Sequence, residues 1–98
     1  MPINKLNDEQ VRSALALLPS WVGSAGRLER TVLAAPPQTE LLRAQVAQAA
    51  EEADHHPVVE DVDGGTHFAL WTHSAGGVTA KDTALAARID AIATSLGL

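Results

Sequence analysis

All four histidines of this chain, His55, His56, His67 and His73, fall between Glu51 and Asp82, in the stretch EEADHHPVVEDVDGGTHFALWTHSAGGVTAKD. Imidazole is the one side chain whose ordinary pKa lies near neutrality, so it can accept or donate a proton at working pH. Two such groups on different elements can serve one site as acid and base. His55 is predicted at a helix C-terminus, where the dipole favours the imidazolium and suits a general acid. His73, predicted at the end of a strand, is the candidate partner. Asp82 is predicted in the first turn of the last helix, where a carboxylate is favoured. From there it can orient an imidazole or hold a polar ligand group.

Each of these residues also has a plainer reading. Asp82 follows Thr79 at capping-box spacing and can simply close a helix N-terminus. His55 can cap the free carbonyls of its helix. Glu51 lies one turn before His55 and can form an ordinary i, i+4 pair with it. His67 reads as a solvated or edge-strand residue. Zinc is the rival chemistry, because four histidines stand near several carboxylates. The spacing argues against it: there is no His-x3-His on a helix and no cysteine, and adjacent His55 and His56 point apart. A Ser-His-Asp hydrolase is weaker still, for the chain has no Gly-x-Ser-x-Gly elbow and is too short for that fold.

The elements that must position these residues can be read in order. Asn7 and Gln10 have capping-box spacing, and Val11, Ala14, Leu15 and Leu18 form one stripe, so a helix is predicted over 7–18 and stopped by Pro19. Trp21 follows as an aromatic closing that helix against a sheet. Residues 21–33 predict a hairpin about Gly23-Ser24-Ala25-Gly26. Pro36-Pro37 is a break, with Pro37 in the first turn of a helix predicted over 38–54. Its inward stripe is Leu42, Val46, Ala49 and Ala53, with Leu41 and Ala50 beside it. Pro57 forces His56 out of the α region.

Val58–Val62 and Thr66–His73 then predict a second hairpin about Asp63-Gly64-Gly65. Along its second arm Thr66, Phe68, Leu70 and Thr72 share one face, while His67, Ala69, Trp71 and His73 share the other. A Gly76-Gly77 loop leads to Thr79, which caps a last helix with the stripe Leu85, Ile89, Ile92 and Leu96. The order α-β-β-α-β-β-α implies an α+β domain over residues 1–98, a four-stranded antiparallel sheet with three helices packed on one face. A small sheet covered on one side leaves its edges open, which predicts an oligomer.

Composition narrows the function classes. With 98 residues and a formal net charge of −5, the chain has no basic run to neutralise phosphates, which argues against nucleic-acid binding. The absence of cysteine excludes disulfides and thiolate chemistry. The N-terminal MPINKLNDEQ is polar and no apolar run is long enough to span a bilayer, so a soluble cytoplasmic chain is expected.

Glu51, the run His55-His56-Pro57, His73 and Asp82 resemble the signature of the pterin-4a-carbinolamine dehydratase family. Some members of that family act as dimerisation cofactors of a homeodomain transcription factor. Asp54, Thr72, Gly76-Gly77, Leu85-Ala86, Leu18-Pro19-Ser20-Trp21 and Leu28-Glu29-Arg30-Thr31 are similar to the family as well, so the likeness covers nearly the whole chain. The chain departs from the family at Asp63, where the signature has an aromatic. It departs again at Trp71, where many relatives carry a small polar residue, and over 33–40, where the usual phenylalanines are missing.

The resemblance implies dehydration of 4a-hydroxytetrahydropterin to quinonoid dihydropterin, in recycling of the pterin used by an aromatic amino-acid hydroxylase. It implies His55 and His73 as the acid/base pair, with His56 and Asp82 completing the catalytic set. Glu51, Thr72, Trp21 and Pro57 are implied at the substrate, with no metal and no organic cofactor. A homodimer or homotetramer is implied, and the alternative role is a non-catalytic assembly partner on the same fold.

Overall fold

The computed structural model describes residues 4–98, so the first residues of the polar N-terminal stretch lie outside it. The element order is α1 (Asp8–Ala16), β1 (Val22–Gly23), β2 (Leu28–Leu33), α2 (Pro36–Ala53), β3 (Val58–Val62), β4 (Gly65–Leu70), a 3₁₀ turn (His73–Ala75) and α3 (Ala80–Ser95). The strands form one antiparallel sheet in the order β1-β2-β4-β3. This is the expected α-β-β-α-β-β-α arrangement.

Local chemistry accounts for most of these boundaries. Asn7 caps α1 through its side chain, and Gln10 reaches back to the Asn7 amide, so two orphan N–H groups are satisfied at once. The helix is shorter than the predicted 7–18; Leu17 is its C-cap and is exposed, while Leu18 turns back into the core. α2 begins earlier than predicted, at Pro36. Both prolines occupy its first turn, where the missing N–H would have had no partner. The inward row of α2 is Leu42, Val46, Ala49 and Ala50, whereas Ala53, expected on that row, is exposed in the last turn.

The β3–β4 turn is Asp63-Gly64, with Gly64 at φ 79° and Val62 paired to Gly65. Gly65 is already in the ladder, and a Cβ there would stand 2.2 Å from the Val32 carbonyl oxygen. Only glycine lets β2 and β4 pair so closely at that end.

β4 stops at Leu70, short of the predicted His73. Beyond it Thr72 pairs with Gly77, its N–H donating to the Gly77 carbonyl at 2.9 Å, so the chain closes on itself. Gly76 supplies the left-handed residue that this loop needs, at φ 75°. His73 therefore opens a 3₁₀ turn and does not end a strand.

One face of the sheet carries the core. Leu28 and Val32 of β2 and Phe68 and Leu70 of β4 are buried against Val11 and Leu18 from the α1 region, Leu42, Val46 and Ala49 of α2, and Leu85, Ile89 and Ala93 of α3. Thr66 and Thr72 share that face, as the alternation predicted.

Arg30 also points to the helical side. Its charge is met by Asp90 of α3, which accepts a second hydrogen bond from the Trp21 indole N–H at 2.7 Å. Asp90→Ala would leave a largely buried guanidinium and a buried indole N–H without partners. We expect it to lower stability by about 2–4 kcal/mol, read as a lower urea midpoint at unchanged slope. An unchanged midpoint would show that solvent reaches both groups.

Candidate active site

α2 ends at Asp54, the one non-glycine residue with positive φ among the described residues, at φ 50°. Aspartate tolerates this left-handed conformation better than most side chains. The His55 amide caps the helix by donating to the Ala50 carbonyl at 3.0 Å. The His55 side chain is thereby freed from its own helix and reaches α3, where Nε2 lies 2.5 Å from Asp82 Oδ1.

Asp82 is completely buried. Its Oδ2 accepts from the Thr79 amide at 2.9 Å and from the Thr72 hydroxyl at 2.8 Å, and the Thr72 and Thr79 hydroxyls are themselves 2.8 Å apart. The two readings of Asp82 are therefore both met by one side chain. One oxygen completes the α3 capping box and the other holds an imidazole. No buried side-chain polar atom among the described residues is left without a partner. With Nε2 held by the carboxylate, Nδ1 is the His55 ring nitrogen that Asp82 does not engage.

His56 and His73 stand on the opposite side of the sheet from the helices. With Val58, Ala69 and Trp71 they line a hollow of about 180 Å³. Val58 and Ala69 are cross-strand partners and form its floor. His56 also borders a second, mainly apolar cavity of about 260 Å³ on the helical side, together with Pro57, Val59 and Phe68. His56 and His73 thus share the wall of this hollow, whereas His55, held on its carboxylate, lines neither cavity.

The remaining candidates are placed as follows. Glu51 is exposed on α2 and lies 3.5 Å from His56 Nε2; it does not pair with His55, because the left-handed Asp54 turns His55 away from the helix face. Thr72 is buried on Asp82 and holds that carboxylate from behind. Pro57 lies beside His56 on the apolar cavity. Trp21 is only 3% exposed, in the core, with its N–H on Asp90, and it borders neither hollow.

His67 is not merely solvated. Its Nδ1 is 2.8 Å from the Thr31 hydroxyl and its Nε2 is 3.0 Å from Glu29 Oε1. Thr31 is its direct cross-strand partner, a pairing that no spacing within the stretch 51–82 could reveal. Among the described residues no cluster of three or more His, Asp or Glu side chains is placed to hold a metal ion. Nor is any described helix long and apolar enough to cross a membrane.

The arrangement supplies two proton-carrying groups at a hollow and a third whose tautomer is set by a buried carboxylate, which is the equipment of general acid–base catalysis. Comparison with known proteins identifies the family. A Nocardia farcinica protein, provisionally named pterin-4-alpha-carbinolamine dehydratase, is 44% identical over 94 residues, covering 95% of this chain and 99% of its own. A Streptomyces coelicolor protein of the same provisional name is 41% identical over 102 residues, covering 99% and 98%.

The crystal structure of a Brucella melitensis protein described as a transcriptional coactivator/pterin dehydratase superposes with a TM-score of 0.86. It has 30% identity and covers 92% of this chain and 99% of its own. The sequence profile of pterin 4 alpha carbinolamine dehydratases matches residues 4–92, nearly the whole described chain, and on that match the chain belongs to the pterin 4 alpha carbinolamine dehydratase family.

Proposed function

We propose that this chain removes water from 4a-hydroxytetrahydropterin to give the quinonoid dihydropterin, by proton transfer between histidines and substrate. The observation that carries this reading is the buried Asp82 gripping His55 at 2.5 Å while His56, next in the chain, shares a hollow with His73. In the reaction the C4a–O bond breaks and the departing hydroxyl takes a proton from an imidazolium, leaving as water. A second imidazole takes the proton released by a ring nitrogen, so the substrate loses H2O and no electron changes hands. His55 and His73 serve as this acid and base, and Asp82 fixes the orientation of the His55 ring through Nε2. His56, next in the chain and on the wall of the hollow, orients the pterin, with Glu51 holding its ring. Such a step belongs to recycling of tetrahydropterin after an aromatic amino-acid hydroxylase has used it.

The test is turnover of freshly generated 4a-hydroxytetrahydropterin. Acceleration over the uncatalysed loss of water is expected from folded protein. Its absence would overturn the reading.

A second reading is a non-catalytic assembly partner, and two observations favour it. The Brucella melitensis relative is described as a coactivator as well as a dehydratase. The edge strand β3 is exposed along its whole length, with Val58, Val59 and Val62 at 39%, 43% and 39%. An open edge of this kind accepts another strand, and a homodimer or homotetramer would cover it.

A further inference from the structure

The outer face of the sheet carries a chain of polar contacts that the acid–base reading does not use. Thr31 binds His67, His67 binds Glu29, and Glu29 lies 3.5 Å from Arg27. Arg27 in turn places its guanidinium carbon 5.0 Å from the centroid of the Trp71 ring. The β2–β4 register explains the order: Thr31 pairs with His67 and Glu29 with Ala69, and one step beyond Leu28–Leu70 sets Arg27 beside Trp71.

Trp71 is not among the side chains of the core cluster. It is half-buried and borders the hollow with His56, Val58, Ala69 and His73. A large indole on the solvent side of a sheet, beside a small Ala69, leaves a flat apolar wall facing open space. Its orientation is held by a cation on the ring and a ladder of hydrogen bonds behind that cation. Little freedom is then lost when a second ring packs on it.

The geometry points to Trp71, clamped by Arg27, as a substrate-recognition residue of the hollow, whose indole stacks on the planar bicyclic ring of the pterin. This rests on the pterin reading above and adds to it the residue that grips the flat ring. The histidines supply the protons; Trp71 supplies the surface on which the heterocycle lies.

Binding of 7,8-dihydropterin and turnover of 4a-hydroxytetrahydropterin would be measured for the parent, Trp71→Ser, Trp71→Phe and Arg27→Gln. Trp71→Ser is expected to weaken binding and raise KM about tenfold, with kcat little changed. Trp71→Phe, which keeps an aromatic face, stays within about threefold of the parent, and Arg27→Gln loses about threefold. Dihydropterin should quench the parent's tryptophan emission more strongly than that of Trp71→Phe, whose one remaining indole, Trp21, is in the core and does not line the hollow. A loss of fold alone would not divide the variants in that way. Equal affinity in the parent and a folded Trp71→Ser would overturn the inference and leave the pterin reading intact. A parent that neither binds nor turns over pterin would overturn both.

Discussion

His73→Ala is expected to lower turnover of 4a-hydroxytetrahydropterin by about 10²–10⁴-fold, the usual contribution of one positioned acid or base. The stability of the variant should stay within about 0.5 kcal/mol of the parent, because His73 is exposed and makes no side-chain hydrogen bond among the described residues. That combination separates a chemical role from a structural one, and it is read from a rate and a urea midpoint on the same preparation. His55→Ala should lose turnover to a similar degree and stability as well, because it strips a buried carboxylate oxygen of its partner. Turnover that survives in folded His73→Ala would remove His73 from the proton path.

The second large effect is expected at Asp82, and it divides by substitution. Asp82→Ala removes the α3 cap and leaves the Thr79 amide, the Thr72 hydroxyl and the His55 ring without their acceptor. A loss of about 3–5 kcal/mol follows, enough to unfold much of a small domain. Asp82→Asn keeps an oxygen for the cap, so most of the stability should return. Its amide then donates to His55 Nε2, which imposes the other tautomer on the ring. Turnover should fall by on the order of 10²-fold or more while the fold persists. Full activity in Asp82→Asn would make the carboxylate a helix cap and nothing further.

These two residues also mark how far a linear reading reaches. Asp82 was legible as a capping residue because Thr79 and Asp82 are neighbours on one helical turn. The same holds for Asn7 and Gln10, for the prolines that open α2, and for the inward row Thr66, Phe68, Leu70 and Thr72. Period and capping are decided within a few residues, so they can be read locally. The order of helices and strands follows from them, and with it the α+β fold. The resemblance reached further, to the family, because its His-His-Pro, His and Asp stand at the family's spacing.

What tertiary structure alone decided is which groups meet. Glu51 stands at i, i+4 spacing from His55, where a pair could form, yet it lies on His56, because one left-handed residue at Asp54 rotates the chain by a step that no spacing records. Trp21 was placed at the substrate by resemblance and is held in the core by Asp90, 69 positions away. His67 had no partner within its own stretch and finds two across β2, and Arg27 is brought onto Trp71 by the same register. By itself the sequence determined the elements, their order and the chemical types gathered between Glu51 and Asp82. The sheet order β1-β2-β4-β3 and the packing of α2 on α3 decided that Asp82 serves His55, that His56 and His73 share a hollow, and that Trp71 walls it. The physical reason is range: helix period, caps and turns depend on neighbours a few residues apart, whereas a site depends on side chains that only the folded core and strand register bring within a few ångströms.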